Sequence, residues 1–373
     1  MTPAKATGPH KRAVASHRLV KSNRRNRSKC CERLSTLESV ALQFVVLTSA
    51  RGIGEIRFAR RNVFWIIPCA TSLISAGKNY VGRFGFRGQL MAKNVELLAS
   101  YWTIAGGALP HTNQEYSPFD LKDRAEEIAR AGFTGMGIWH SDLEHIVKTR
   151  SLRDIKKILN DNGLRHLELE FLEDWFCDGE EKRASDVRKK MLMEAAEVLG
   201  AHHIKVGDFY KKKTPMAKLI ESFAALCKEA EERGTKILFE LMPFAMIDTL
   251  AETMEMIEGA RAKNGGIAWD MWHIAKLRIP YEDVARTLSQ CQVSVEINDG
   301  TFEAPWDLVE DTVNHRRFCG EGEFDVKGFV ACLLKAGYAG PWGIEVLSQE
   351  IRDKSLEYLT AHAYRTTMAQ FPE

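Results

Sequence analysis

From about residue 96 onward the sequence alternates between short apolar runs and amphipathic stretches, and this alternation restricts the fold more than any other feature. Eight runs read as strands: ELLASYWTI, FTGMGIWH, RHLELEFLE, HHIKVGDF, TKILFELMP, GGIAWDMWH, QVSVEINDG and PWGIEVLS. Between them lie segments such as DLKDRAEEIARAG, DIKKILNDNG and MAKLIESFAALCKEAEERG, with apolar residues at helical spacing, several of them stopping at glycine. Strand, helix, strand without a break implies a parallel sheet. Eight units of about 30 residues each match the size of a (β/α)8 TIM barrel, whereas a doubly wound open sheet, the alternative, uses fewer strands.

The first ninety residues have a different character. They hold 17 Lys+Arg against 3 Asp+Glu, a net +14, whereas residues 91–373 hold 35 against 47, a net −12. The overall +2 therefore says little about the barrel, whose acidic balance gives it no electrostatic attraction for nucleic acid. KRAVASHRLVKSNRRNRSKCCERL has too little apolar surface to fold alone. Two apolar runs follow, SVALQFVVL and NVFWIIPCATSLISAG, each short for a membrane span and the second broken by Pro68. We expect residues 1–90 to be a basic extension, disordered or non-native, with an organelle transit peptide as the alternative, and residues 91–373 to be the barrel. The eight cysteines lack CxxC spacing, which fits reduced thiols in a cytoplasmic protein with no membrane association.

In such a barrel the C-terminal strand ends form the active face, where residues distant in sequence converge. Four consecutive strands there carry acids: Glu240 in ILFELMP, Asp270 in IAWDMWH, Glu296 in VSVEINDG and Glu345 in WGIEVLS. One acid at a strand end is ordinarily a helix cap or a partner for Lys or Arg. Four in a row would repel one another unless a cation is shared between them. Hard oxygen donors point to Mn²⁺ or Mg²⁺, with Co²⁺ or Zn²⁺ open because His273 is near. His273 itself can serve as a second ligand or a substrate contact. Lys205 and Asp208 occupy a similar place on strand four, where a lysine pairing with the acids is the simpler expectation.

Residues 93–373 resemble the xylose isomerase-like TIM barrels, a superfamily of sugar isomerases, sugar epimerases and inosose dehydratases. Glu240, the Asp-x-x-His of Asp270 and His273, Glu345 and the phrase HRRFCGEGEFDVKGFVACLLKAGYAGPWGIEV carry the resemblance. One departure is Glu296, which stands where the epimerases usually place a metal-binding His and the xylose isomerases a carboxylate. The resemblance implies a metal-dependent isomerase or epimerase acting on a sugar, keto-sugar or polyol through an enediolate. Glu240 and Glu345 would be the acid/base pair, and Glu240, Asp270, Glu296 and Glu345 the metal ligands. Substrate contacts are expected from His273, His140, Glu170, Arg316, Arg317 and Trp272. Elimination from an inosose-like or keto-sugar substrate is the alternative outcome. The same barrel is also similar to abasic-site endonucleases, although those call for a His-rich multi-zinc site, and a non-catalytic sugar-binding barrel is a further alternative. Partners expected are a small sugar or polyol, with a homo-oligomer left open.

Overall fold

A computed structural model describes residues 95–209 and 211–372. The expected basic extension, residues 1–90, lies outside the described residues. Eight strands close into a parallel barrel in sequence order: β1 (Leu97–Ala99), β2 (Gly135–Trp139), β3 (His166–Leu172), β4 (His203–Val206), β5 (Lys236–Glu240), β6 (Gly265–Asp270), β7 (Gln292–Ile297) and β8 (Trp342–Ile344). β1 pairs with both β2 and β8, so the sheet has no free edge. Each strand falls within one of the eight runs expected from the sequence. The run ELLASYWTI is shorter as a strand than expected, because Tyr101–Ile104 turn into a 3₁₀ segment.

The helices form where local signals start and stop them. Asp120 accepts a hydrogen bond from the Lys122 amide at the head of helix Leu121–Ala131, and Gly132, at φ 110°, ends it in the left-handed region closed to most side chains. Ser151 and Asp154 form a reciprocal capping box on helix Leu152–Asp161. The apolar faces of these helices pack on the outer wall of the barrel, where Ile128, Ile155, Phe223, Met256 and Phe329 are fully buried. Among the described residues no helix is long and apolar enough to cross a membrane.

The lumen differs from this apolar outer layer. Paired residues on adjacent strands share a face, and the register places Leu98 beside Gly343, Gly137 beside Glu168, Glu168 beside His203, Glu240 beside Ala268, and Asp270 beside Glu296. Barrel interiors of this kind are ordinarily filled by layers of branched apolar side chains. Here glycine, alanine and serine leave room for long ionic ones. Gly137 shows how little room is spare, since a Cβ there would lie 2.6 Å from Glu170 Oε1, 2.8 Å from the Tyr101 backbone nitrogen and 2.9 Å from Glu168 Oε1. Gly137→Ala is therefore expected to destabilise the fold by about 1–3 kcal/mol in urea denaturation, and an unchanged midpoint would show that the lumen is looser than these distances say.

Candidate active site

Six carboxylates are buried along the lumen and its C-terminal mouth: Glu168, Glu170, Glu240, Asp270, Glu296 and Glu345, none more than 4% exposed. Two permanent cations, Lys205 and Arg316, are buried with them. Lys205, from β4, extends its ammonium between the acids of four other strands or strand ends. Its Nζ lies 2.8 Å from Glu296, 3.0 Å from Glu170, 3.3 Å from Glu345 and 4.0 Å from Glu240. Burial alone would strip its proton, but Glu170, Glu296, Glu345 and Glu240 together hold its pKa well above the usual lysine value. The sequence expectation that Lys205 pairs with the barrel acids agrees with this geometry.

Arg316 follows helix Leu308–Asn314, in the connection between β7 and β8. Its Nη1 donates to Asp270 Oδ2 at 3.0 Å and Glu345 Oε2 at 2.8 Å, and Nε and Nη2 are fixed by Thr312. Asp270 is shared among several donors. Oδ1 accepts from the Trp272 and His273 amides at 2.8 and 3.2 Å, capping helix Met271–Leu277, while Oδ2 also accepts from Asn298 at 2.7 Å. This explains why the apolar strand GGIAWD ends in an acid: the carboxylate both starts the next helix and anchors Arg316.

His273 is brought back over the cluster by that helix turn, with Nε2 3.4 Å from Glu240 Oε1 and Nδ1 buried without a partner. Trp272 is fully buried below the Arg316 guanidinium and the Lys276 ammonium, 5.6 and 5.2 Å from its ring centre. Ser100, from the end of β1, donates to Glu296 at 2.5 Å.

Charge balance decides which acids ionise. With six carboxylates against two fixed cations, the ring cannot be fully charged without further compensation. Burial raises Glu296 well above the carboxylate range, and Glu345, Glu168 and Glu170 add to the shift against the pull of Lys205. Glu170 is pushed up to about 8, chiefly by burial. Glu168 is raised for the same reason. Glu240 goes the other way: burial would raise it, but Lys205, the His273 bond and Arg316 outweigh that and hold it at about 2. Glu240 is thereby kept ionised beside neighbours that take up protons.

The donor set also fits a divalent cation. Glu240, Glu296 and Glu345 each place one carboxylate oxygen within 4.8 Å of the others, all three buried, the sole such metal-competent group among the described residues. Hard oxygens around a surplus of negative charge suit a divalent cation. Asp270 departs from the expected four-carboxylate set, because its oxygens are spent on the helix amides, Asn298 and Arg316 and it is outside the trio. Lys205 also stands close to the same oxygens, so it must share that space with any metal.

The remaining expected contacts divide. Glu170 and Arg316 join the cluster. His140 opens helix His140–Ile146 directly after β2 and lies among aromatic side chains, where its Nδ1 is 3.5 Å from the Phe171 amide and burial, with Arg188, lowers it to about 3. Arg317 is exposed and donates to the Glu321 carbonyl, facing away from the acids. Glu168, Ser100 and Asn298 were not singled out in the sequence, although each lies two residues from a lumen residue and so shares its face.

A closed parallel barrel with buried acids and cations at its C-terminal mouth is the layout of a TIM-barrel enzyme. Residues 125–363 match the family described as Xylose isomerase-like TIM barrel, and the chain belongs to that family. A curated relative, the 3-dehydroshikimate dehydratase of Pseudomonas aeruginosa, is 27% identical over 236 residues, which are 62% of this chain and 37% of that protein. The chain thus spans little more than a third of that relative's length. Among solved structures, an IOLI protein with a bound zinc atom superposes with a TM-score of 0.64 at 19% identity, covering 74% of this chain and 98% of that one. D-allulose 3-epimerase from Methylomonas sp., in complex with D-allulose, gives 0.57 at 17% identity, covering 74% and 97%. At these identities the structural likeness establishes the fold.

The Glu170 shift has a measurable consequence. Its folded pKa, about 8, exceeds the ordinary 4.5, so its stabilising proton is fully held below 4.5 and is lost as pH rises through 8. His140 works in the opposite sense only between about 3 and 6.5. Between 6.5 and 8 stability should therefore fall with pH, by up to about 1.4 kcal/mol per unit for each proton released, and Glu170→Gln should flatten the slope. Denaturant titrations across that range check this; a slope equal in both proteins would show that Glu170 is already ionised.

Proposed function

We propose that this chain is a metal-dependent enzyme that removes a proton next to the carbonyl of a small sugar, keto-sugar or polyol and isomerises or epimerises it through an enediolate. The carrying observation is the convergence of three buried glutamates, Glu240, Glu296 and Glu345, whose carboxylate oxygens can share one cation, with Glu240 held ionised. Those three glutamates would hold the metal. When bound, it would supply Lewis-acid stabilisation of the negative charge that develops on the substrate oxygens.

The chain's own residues account for the remaining chemistry. Glu240 Oε accepts the proton, and His273, 3.4 Å from it, steadies the carboxylate. Glu345 is oriented by Arg316 at 2.8 Å, so it can return a proton from another direction or take one first. Lys205 and Arg316 keep positive charge beside the oxygens where the enediolate charge grows. Trp272 and the barrel wall exclude water from the reacting carbon.

Loss of a β-hydroxyl from the same enediolate would make the enzyme a dehydratase. The curated sequence relative named a 3-dehydroshikimate dehydratase favours that second outcome. An abasic-site nuclease has less support, because the metal-competent group is three glutamates and the region from residue 91 is net acidic. We place the protein in the cytoplasm, acting on a small molecule with no nucleic acid or membrane partner.

The test follows the shared first step. Candidate keto-sugars and inososes incubated in deuterated water with Mn²⁺ should gain label next to the carbonyl, and Glu240→Gln or Glu345→Gln should slow this by about 10²-fold or more. Labelling unaffected by both substitutions would remove the acid/base pair from the mechanism. Absence of labelling across the panel, together with no Mn²⁺ bound by the unsubstituted protein, would favour a non-catalytic barrel.

A further inference from the structure

The three glutamates that can share a cation are held in a common way. Each has one carboxylate oxygen tied to a neighbouring donor and the other turned inward. Ser100 Oγ donates to Glu296 Oε1 at 2.5 Å, Arg316 Nη1 donates to Glu345 Oε2 at 2.8 Å, and His273 Nε2 stands 3.4 Å from Glu240 Oε1. The inward oxygens are Glu296 Oε2, Glu345 Oε1 and Glu240 Oε2. All three face the Lys205 ammonium, at 2.8, 3.3 and 4.0 Å. The oxygens best turned to ligate a metal are therefore the ones that the lysine already takes up.

An ammonium and a divalent ion answer the same demand here. Buried carboxylates need positive charge beside them, and Lys205, 1% exposed, supplies it to the trio without any metal. Bonds from oxygen to a small divalent ion are only about 2.1 Å long, so an ion on these oxygens would be the close neighbour of a like charge. In a space that holds little water the repulsion is weakly screened. Lys205 nevertheless has a partner toward which it can withdraw. Its Nζ is also 3.0 Å from Glu170 Oε2, on the adjoining strand β3, and Glu170 is outside the trio. A flexible four-carbon stem lets the head group shift toward that acid while the backbone of β4 stays in the barrel.

We propose, building on the metal reading above, that Lys205 is a resident counter-ion at the metal position. It balances the trio when no metal is bound, and it sets the metal affinity by competing for the same three oxygens. A lysine that merely stands nearby would behave differently. If Lys205 competes, removing its charge tightens metal binding and makes the fold depend on the ion that replaces it.

The experiment is a titration of the whole chain, stripped with EDTA, with Mn²⁺ followed by the paramagnetic resonance of the free ion, alongside thermal unfolding with and without the metal. Lys205→Met should bind Mn²⁺ at least about tenfold more tightly than the unsubstituted chain, whereas Lys205→Arg, which keeps the charge, should not. Without metal Lys205→Met should unfold at a lower temperature, and Mn²⁺ should raise its midpoint by more than it raises that of the unsubstituted chain. Lys205→Gln takes its place if the methionine variant does not fold. Adding Glu240→Gln to Lys205→Met should cancel the gain in affinity. Equal or weaker binding by Lys205→Met, equal tightening by Lys205→Arg, or a gain that survives Glu240→Gln would each overturn the proposal. If the unsubstituted chain binds Mn²⁺ and labels substrate while Lys205→Met binds no tighter, only the counter-ion role falls. If Lys205→Met binds Mn²⁺ and the unsubstituted chain does not, the counter-ion role stands and the metal-dependent reaction falls. No Mn²⁺ on either protein removes both.

Discussion

The Lys205 ammonium is the interaction on which the interior of this barrel depends. A carboxylate withdrawn from water is stabilised only by a nearby positive charge or a proton, and the lumen holds several within a few ångströms of one another. By reaching Glu170, Glu296 and Glu345 at once, Lys205 lets strands three, seven and eight converge, and with Glu240 it extends the attraction to strand five. The small residues of the lumen follow from this. Gly137 and Gly343 lie where a methyl group would meet Glu170 or Glu296, so the room for the ionic side chains is created by residues with none. Cohesion from apolar burial is correspondingly shifted outward, to the layer between strands and helices.

A second network fastens the mouth. Asp270 joins the end of β6 to the following helix through two backbone amides, and through Arg316 to Glu345 beyond β8. The position of His273 over Glu240 depends on that helix start, and the orientation of Glu345 depends on the same guanidinium. His273 and Glu345 are thus both positioned through one carboxylate, so disturbance at Asp270 would reach both.

Much of the architecture was legible in the sequence because every strand carries a dense apolar run and the helices between them have clear stops, such as Gly132. The convergence of Glu240, Glu296 and Glu345 was legible from their common place at strand ends. The allotment of partners was not. Asp270 looked equivalent to the other three, but its distance from the next helix's first amides is a matter of backbone course that spacing does not disclose. Arg316 and Arg317 are adjacent and chemically alike, and only the antiparallel bridge between Arg317 and Asp299 turns one inward and the other to solvent. Glu168 could have been found from HLELEFL, where alternation puts it on the face of Glu170. His140 was expected to end its strand, but it is the first residue of the next helix, and the surrounding rings of Trp139 and Phe171 make its environment aromatic.

The ionic lumen bears on how the molecule would respond to compression. Hydrostatic pressure favours states of smaller total volume, and unfolding becomes more favourable when internal voids are eliminated by it. A barrel whose lumen buries six carboxylates with Lys205 and Arg316 contracts water around those ions once they are released, and so has a reason to lose volume on opening.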